Sequence, residues 1–346
     1  MLRSILFYSL FIVLLASCQP VASTNEAMAQ APVTTGMMLE PEGFIQRVHD
    51  PVIAYEDGTY YVFSTGSFVP FICSNDKVDW EFCGRVFKNN PAWTRDINPN
   101  LVDIWAPDIS FFNDQWHLYY AISTFGSQNS AIGLATNVTL DPNSPDYEWT
   151  DHGEILRSGK GDRWNAIDPN LVLDENGEPW LAWGSFWDGI WMQKVDRATG
   201  QLDTNDPTVH HLADRSTEPD GPSAIEAPFI IFRDGKWYLF VSFDRCCQGV
   251  DSTYNLRVGR SDAITGPYVD RDGIPLTEGG GTMILSAYGQ WKGPGHNGML
   301  FEEDMHWMVY HAYDSKQIGI SKLRIESISW DADGWPSLPS QRQKQP

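Results

Sequence analysis

Residues 49–63 of this chain read His49-Asp50-Pro51-Val52-Ile53-Ala54-Tyr55-Glu56-Asp57-Gly58-Thr59-Tyr60-Tyr61-Val62-Phe63. An apolar run follows the proline, a polar turn comes next, and a second run of aromatic and β-branched residues ends the segment. Two such runs joined by a short turn containing Asp-Gly are typical of a β-hairpin. The segment therefore predicts two antiparallel strands.

This hairpin pattern occurs five times along the chain. The other copies begin at Trp105-Ala106-Pro107, Ile167-Asp168-Pro169, Glu226-Ala227-Pro228 and His296-Asn297-Gly298. From the proline, or from Gly298, to the aromatic residue that opens the second run, the offset is nine residues in four copies. It is eleven in the third copy, which we interpret as a two-residue insertion in the turn. Such regularity indicates one structural unit built five times.

Two more strand candidates follow each hairpin, for example residues 130–136 and 147–153 after the second copy. Four strands repeated five times predict an all-β fold, a five-bladed β-propeller. A β-sandwich is the alternative, although sandwiches seldom repeat one motif five times. Because the first strand of each propeller blade lines the central channel, we expect the five repeat starts to meet at one end of that channel.

The N-terminal segment resembles an export signal. Arg3 precedes an apolar run at residues 5–15, and Leu15-Ala16-Ser17-Cys18 resembles a bacterial lipobox in which Cys18 is lipidated. An ordinary secretory peptide cut near Ala27-Met28-Ala29 is the alternative. The predicted organisation is a lipoprotein signal peptide at 1–18, a flexible linker at 19–42 and a propeller domain at 43–346. We expect an exported protein, lipid-anchored at the cell envelope, on the outer membrane or cell surface.

Composition narrows the classes of partner. The formal net charge of −21 at pH 7 argues against nucleic acid or any other polyanion. Most of the 15 Trp, 13 Tyr and 17 Phe suit a β-sheet core, and the rest suit a cleft in which rings stack on sugar faces. Export permits disulfides. Cys73, Cys83, Cys246 and Cys247 allow three pairings, and the sequence does not choose among them.

Three carboxylates stand at the repeat starts. Asp50 and Asp168 hold the same position in two repeats, and Glu226 stands one position earlier in a third. A single Asp-Pro is usually a strand-entry turn, as we interpret Asp141-Pro142. Three carboxylates in one channel repel one another and raise at least one pKa, which favours chemistry over folding as their role. Two carboxylates facing a cleft are the minimum needed to hydrolyse a glycosidic bond.

The motifs together resemble glycoside hydrolase family 43, and more narrowly its endo-1,5-α-L-arabinanases. The resemblance runs from about residue 44 to Trp335-Pro336. The segments that carry it are His49-Asp50-Pro51, Trp105-Ala106-Pro107-Asp108, Ala166-Ile167-Asp168-Pro169-Asn170, Ile225-Glu226-Ala227-Pro228 and Gly293-Pro294-Gly295-His296-Asn297, with support from Ser123-Thr124-Phe125-Gly126-Ser127, Trp183-Gly184-Ser185-Phe186-Trp187 and residues 246–255.

The resemblance implies a role for each carboxylate. Asp50 matches the general base, Glu226 the general acid, and Asp168 the residue that tunes and orients the acid, in an enzyme that inverts the anomeric carbon. The implied substrate is arabinan or an arabino-oligosaccharide, cut at internal α-1,5 bonds by a protein that we expect to be a monomer. One alternative is an exo-acting β-xylosidase or α-L-arabinofuranosidase of the same family. Another is a non-catalytic glycan-binding surface lipoprotein.

The resemblance also implies an ion and suggests sugar contacts. His296, which would otherwise be taken as structural, matches a histidine that binds a channel ion, usually calcium, completed mainly by waters. Calcium prefers oxygen ligands, so this would be an unusual site. The candidate substrate-binding residues are the ring platforms and hydroxyl partners Trp105, Phe125, Asn170, Ser185, Trp187 and Tyr254.

Overall fold

The computed structural model describes residues 36–215, 223–303 and 305–342. The predicted signal peptide at 1–18 lies outside the described residues, as does most of the predicted linker. The strands are, in chain order, β1 (Met38–Leu39), β2 (Glu42–Gly43), β3 (Val52–Glu56), β4 (Thr59–Phe63), β5 (Pro70–Ser74), β6 (Asp79–Arg85), β7 (Trp105–Phe112), β8 (Gln115–Ile122), β9 (Ser130–Asn137), β10 (Thr150–Ser158), β11 (Asn170–Leu173), β12 (Pro179–Trp183), β13 (Ile190–Lys194), β14 (Val209–Ala213), β15 (Ile225–Arg233), β16 (Lys236–Phe243), β17 (Asn255–Ser261), β18 (Thr282–Leu285), β19 (Trp291–Phe301), β20 (His306–Asp314), β21 (Ile320–Ser327), β22 (Ser329–Trp330) and β23 (Pro336–Ser337).

Helical structure in the described part of the chain is confined to short turns. These are the 3₁₀ segments Ala92–Asp96, Gly249–Asp251, Leu276–Glu278 and Ser315–Gln317, and the helix α1 (Pro339–Arg342). Among the described residues, no helix is long and apolar enough to cross a membrane.

Five sheets form the five blades, which confirms the predicted all-β propeller. Blades 1 to 4 are built from β3–β6, β7–β10, β11–β14 and β15–β18, and each runs strand by strand along the sheet. In blade 1, β2 adds a fifth strand at the outer edge, parallel to β6. Blade 5 takes β19, β20 and β21 from the end of the chain and β1 from its beginning. Met38 of β1 lies opposite Glu326 of β21, so the N-terminal strand closes the ring. The last residues of the predicted linker, 38 and 39, therefore already belong to a blade.

The hydrophobic core consists of five clusters, one between each pair of neighbouring blades. The cluster that joins blade 5 to blade 1, for example, contains buried Ile53, Val62, Val309 and Leu323. Burying an aliphatic side chain of this size stabilises the fold by about 1.5–3 kcal/mol. Because each cluster packs side chains of two neighbouring blades together, the five inner strands are held in fixed relative positions around the channel.

A residue with left-handed backbone angles recurs where the inner strands begin, and in three blades it lies in a β-bulge. Positive φ angles occur in all five blades, at Asp50 (51°), Ala106 (41°), Asp168 (55°), Ala227 (56°) and His296 (50°). The pairing of β7, β15 and β19 with their neighbours is irregular at this place, as expected for a bulge. Non-glycine residues rarely adopt such angles, and they concentrate at functional sites.

The pairing corrects the repeat alignment in two blades. Gly298 pairs with Val309 as Val52 pairs with Phe63, so Asn297 rather than Gly298 stands where the other repeats have proline. In blade 3, Asn170 pairs with Ala182, which makes the hairpin one residue longer than that of blade 1. The predicted two-residue insertion was therefore wrong by one.

Two disulfides settle the cysteine pairing that the sequence left open. Cys73 of β5 bonds to Cys83 of β6 within blade 1, with Cα atoms 5.9 Å apart. Cys246 bonds to its neighbour Cys247 in the loop after β16. The first disulfide staples two strands, whereas the second closes a small ring within one loop.

Candidate active site

A cleft of about 850 Å³ opens where the five repeat starts meet, and all five blades contribute to its wall. Its lining includes the three carboxylates Asp50, Asp168 and Glu226, together with His296. Asp50, Asp168 and His296 all have a positive φ and hold the same position, just before the inner-strand segment, in three blades. Glu226 stands one residue before that position in blade 4, as does Trp105 in blade 2.

Asp50 is held by three side chains. The Thr65 hydroxyl donates to Asp50 Oδ2 at 2.6 Å. His49 Nδ1 and His296 Nδ1 lie 2.8 and 3.1 Å from Asp50 Oδ1. Burial raises the pKa of Asp50, but the charges and hydrogen bonds of the two imidazoles outweigh burial and hold that pKa well below its usual value. Asp50 is therefore ionised at neutral pH.

Glu226 has the opposite electrostatic character. Its side chain is 9% exposed, and the Ser185 hydroxyl donates to Glu226 Oε2 at 2.7 Å. Burial raises the pKa of Glu226, and the hydrogen bond from Ser185 only partly offsets that rise. A carboxyl group with a raised pKa keeps its proton at higher pH, which is what a general acid needs.

Asp168 lies beside the acid and holds its backbone. Asp168 Oδ2 accepts a hydrogen bond from the N–H of Ala227, the residue after Glu226, at 3.1 Å. Burial raises the pKa of Asp168 well above its usual value; His296 opposes this shift, and Glu226 and Asp50 add to it. Two buried carboxyl groups that repel one another retain protons that either would lose alone.

His296 faces all three carboxylates. Burial alone would lower the pKa of His296, but Asp50, Asp168 and Glu226 outweigh burial and raise that pKa to about 9. Nδ1 is engaged by Asp50, so Nε2 is the ring nitrogen that would bind a cation, and it would do so in exchange for its proton. One imidazole nitrogen does not complete a calcium shell of six to eight oxygens, so the residues fit an ion that is held largely by water and by the surrounding negative charge.

Three rings predicted as sugar platforms border the cleft. Phe125 is 78% exposed and Trp187 is 36% exposed. Trp105 is half-buried, and all three rings belong to the lining. Flat rings at the edge of a polar cleft suit the apolar faces of sugars.

Two residues predicted to contact sugar do not line the cleft, because their side chains are used inside the fold. Asn170 Nδ2 donates to Asp108 Oδ1 at 3.0 Å, and Asn170 Oδ1 accepts from the N–H of Ile230 at 2.8 Å. This amide therefore ties the inner strands of three blades together. Tyr254 is 1% exposed and packs against Gly295 beneath the cleft. Ser185 does line the cleft, but its hydroxyl is committed to Glu226.

For several residues of the site, the sequence analysis predicted no role. Thr65 donates to Asp50 and accepts from the N–H of Ala106 at 2.8 Å. These two hydrogen bonds join blade 1 to blade 2 beside Asp50. No motif distinguishes this threonine from others that follow a strand. His49 did carry a signal, because it directly precedes Asp50.

Comparison with known proteins decides the family. The sequence model described as glycosyl hydrolases family 43 matches residues 44–336. The chain belongs to glycosyl hydrolases family 43. The family predicted from the five motifs is thereby confirmed, and the match to the family 43 model spans nearly all of the propeller.

Relatives within family 43 are similar over almost their full length. The extracellular exo-alpha-(1->5)-L-arabinofuranosidase ArbA of Cellvibrio japonicus is 40% identical over 300 residues, which are 84% of this chain and 86% of the relative. The extracellular endo-alpha-(1->5)-L-arabinanase 1 of Bacillus subtilis is 40% identical over 297 residues, 84% of this chain and 87% of the relative. The structure of Cellvibrio cellulosa alpha-L-arabinanase complexed with arabinohexaose superposes with a TM-score of 0.82 at 37% identity, covering 87% of this chain and 98% of that chain.

Proposed function

We propose that this protein hydrolyses internal α-1,5-L-arabinofuranosidic bonds of arabinan and inverts the anomeric carbon. The observation that carries the proposal is the contrast between two carboxyl groups of one cleft. The pKa of Asp50 is held well below its usual value and that of Glu226 is raised, so the cleft favours the ionised base at Asp50 and the protonated acid at Glu226. An inverting glycosidase needs this pair.

The reaction follows from these protonation states. A carboxylate offers about four acceptor positions, and Thr65, His49 and His296 use three of those on Asp50. The fourth accepts a hydrogen bond from a water. As the water oxygen attacks the anomeric carbon, Asp50 takes its proton, the glycosidic bond breaks, and Glu226 gives its proton to the departing O5 oxygen. Asp168 holds the backbone beside Glu226 through the N–H of Ala227, and its repulsion of an ionised Glu226 favours the protonated acid.

The substrate is proposed from the relatives and from the cleft. The similar proteins named above act on α-1,5-arabinan linkages or bind arabinohexaose. In this chain, Phe125, Trp187 and Trp105 supply rings for sugar faces. The net charge of −21 favours a neutral polysaccharide over an anionic one.

An exo-acting enzyme is the second candidate, because one relative at 40% identity is named as an exo-enzyme. Product analysis on linear arabinan separates the two. An endo-enzyme releases a ladder of arabino-oligosaccharides while the viscosity drops early, whereas an exo-enzyme releases one short product and the viscosity falls slowly. If binding occurs without any product, the chain is a glycan-binding lipoprotein and the proposal fails.

The alkaline limb of the pH profile should move in opposite directions in two variants. Activity falls as pH rises through the pKa of Glu226, because the acid loses its proton. Ser185→Ala removes a hydrogen bond that lowers this pKa, so the limb moves to higher pH. Ionised Asp168 and ionised Glu226 repel each other, and Asp168→Asn removes that repulsion, so the limb moves to lower pH. Profiles of kcat/KM against pH test both signs, and shifts of the same sign would contradict the proposed electrostatics.

Calcium at His296 is proposed as a structural ion, which when bound supplies positive charge among the three carboxylates. Because a ligand that binds only the folded state stabilises it, calcium should raise the melting temperature of protein stripped with a chelator. His296→Gln should abolish that increase while retaining a folded propeller by circular dichroism. A melting temperature unaffected by calcium in the wild type would remove the ion from the proposal.

Export is proposed because both relatives at 40% identity are named extracellular. We further propose that Cys18 carries the lipid anchor and that the mature protein is a monomer. In cells that express the full chain, Cys18→Ser should move the protein from the membrane fraction to the soluble fraction. Wild-type protein in the soluble fraction would contradict the anchor, and light scattering of the solubilised protein tests the oligomeric state.

A further inference from the structure

The Cys246–Cys247 disulfide lies in the wall of the cleft, next to the base. Both cysteines line the cleft, and Cys247 is exposed with a φ of 67°. Cys247 Sγ lies 3.9 Å from His49 Nε2. A disulfide between sequence neighbours closes a ring around their shared peptide bond, so it fixes the direction in which the Cys247 N–H points.

That N–H begins a chain of hydrogen bonds that ends on Asp50. The Cys247 N–H donates to the Tyr313 hydroxyl oxygen at 2.7 Å. The Tyr313 oxygen lies 2.8 Å from His49 Nε2, and His49 Nδ1 lies 2.8 Å from Asp50 Oδ1. The chain crosses from the loop of blade 4 through β20 of blade 5 to the start of blade 1.

When the His49 ring is neutral, the hydrogen bonds from Cys247 to Asp50 can run in only one donor-to-acceptor direction. The backbone N–H of Cys247 is a donor, so the Tyr313 oxygen accepts from it and its own hydrogen is free to donate to His49 Nε2. An ionised Asp50 is an acceptor only, so the proton of the neutral ring stands on Nδ1. Tyr313 therefore selects the tautomer in which His49 donates to the base.

Packing holds the aromatic rings of this hydrogen-bond chain in place. His49 stacks on His311 with ring centroids 3.8 Å apart, and His311 is fully buried. The Asp50 N–H donates to His311 Nδ1 at 3.1 Å, so the second imidazole orients the backbone of the base. Tyr313 is 4% exposed. Of the residues in this hydrogen-bond chain, Cys247 is the most exposed, and His49 and Asp50 are partly exposed where they line the cleft.

We propose that the Cys246–Cys247 disulfide, Tyr313 and His49 are positioning residues for the base, and that the disulfide sets the orientation of Asp50 through Tyr313. The inference rests on the proposed function, in which Asp50 activates water. A dithiol reductant opens the ring: it gives two electrons and two protons to the disulfide, leaves Cys246 and Cys247 as thiols, and becomes a cyclic disulfide itself. The peptide between the two cysteines is then free to turn.

Kinetics with and without reductant test the disulfide. After incubation with dithiothreitol, kcat of the wild type on linear arabinan should fall roughly 10- to 100-fold, the size of effect that misplacement of a reacting group produces. KM should change less than about twofold, because the ring platforms Trp105, Phe125 and Trp187 keep their positions. Cys73→Ser/Cys83→Ser should retain full sensitivity to the reductant. Cys246→Ser/Cys247→Ser should have the low kcat of the reduced wild type without treatment, and dithiothreitol should not lower it further. Sensitivity that follows Cys73–Cys83 instead would overturn the proposal.

Tyr313→Phe tests whether the effect travels through the hydroxyl. This variant keeps the buried ring and should by itself lower kcat to about the level of the reduced wild type. Reducing it should then cause no further loss, because both changes break the same chain. Multiplicative losses in the reduced Tyr313→Phe protein would show that the disulfide acts by another route.

The tautomer of His49 gives a readout that does not need activity. Two-bond nitrogen–proton correlations on histidine-labelled protein should show the neutral His49 ring with its proton on Nδ1, assigned by comparison with His49→Gln. In the reduced protein and in Tyr313→Phe, the population with the proton on Nε2 should rise. A proton on Nε2 in the untreated wild type would overturn the inference, whereas absent arabinan hydrolysis with the expected tautomer would count against the proposed function alone.

Discussion

Glu226→Gln is expected to lower kcat on linear arabinan by about 10³-fold, within the usual range for loss of a general acid. The amide has nearly the same shape and still accepts the hydrogen bond from Ser185, so the fold and the sugar contacts remain. It has no proton to give to the departing O5 oxygen. The loss should therefore appear in kcat, with KM changed only slightly. Steady-state kinetics by reducing-sugar release measures both constants.

A substrate with a good leaving group identifies the lost step. An aryl arabino-oligosaccharide that releases a nitrophenolate needs little protonation, so Glu226→Gln should lose much less activity on it than on arabinan. Glu175→Gln is the matched control, because Glu175 lies exposed in the blade 3 turn. An equal loss on both substrates would show that Glu226 is not the acid, and unchanged arabinan activity would remove it from the mechanism.

Asp50→Asn is expected to cause a loss of similar size, at least about 10³-fold in kcat. The neutral amide takes no proton from the attacking water. His49 and His296 also lose the anion that they face, at 2.8 and 3.1 Å. The control is Asp57→Asn at the exposed turn of the same hairpin, whose backbone angle asparagine tolerates. Thermal melts of both variants separate loss of chemistry from loss of fold.

Azide distinguishes the base from the acid. In Asp50→Ala the shortened side chain leaves room for a small anion, and azide attacks without needing a base. Adding azide should restore turnover in Asp50→Ala and yield a glycosyl azide of inverted configuration, whereas it should do nothing for Glu226→Gln. Rescue of the glutamate variant instead would exchange the two roles.

The fold could be predicted from the sequence because the sequence repeat reflects a structural requirement of each blade. Each blade needs a hairpin of fixed geometry, and the proline and turn residues that start and end it recur at nearly constant spacing. The two errors of alignment arose where a blade departs from that spacing. Blade 5 has Asn297 in place of proline, and blade 3 has one additional residue before Pro179. Only the strand pairing exposes such shifts.

The sequence predicted those site residues that share one position of the repeat. Asp50, Asp168 and Glu226 share nearly one position, and the structure brings them into one cleft. Register does not tell which way a side chain turns once the strand begins. Asn170 therefore proved to be a link between blades. Thr65 stayed unnoticed because its importance comes from a partner distant in space from its own motif.

The stereochemistry of the first product tests most directly whether these two carboxyl groups work as an inverting pair. Proton NMR of linear arabinan mixed with the enzyme in D₂O, followed from the first minutes, resolves the reducing-end anomers before they equilibrate. The proposed roles of Asp50 and Glu226 predict that the β-anomer appears first and the α-anomer grows in later. Appearance of the α-anomer first would mean retention, and would contradict the direct attack of water that Asp50 is proposed to assist.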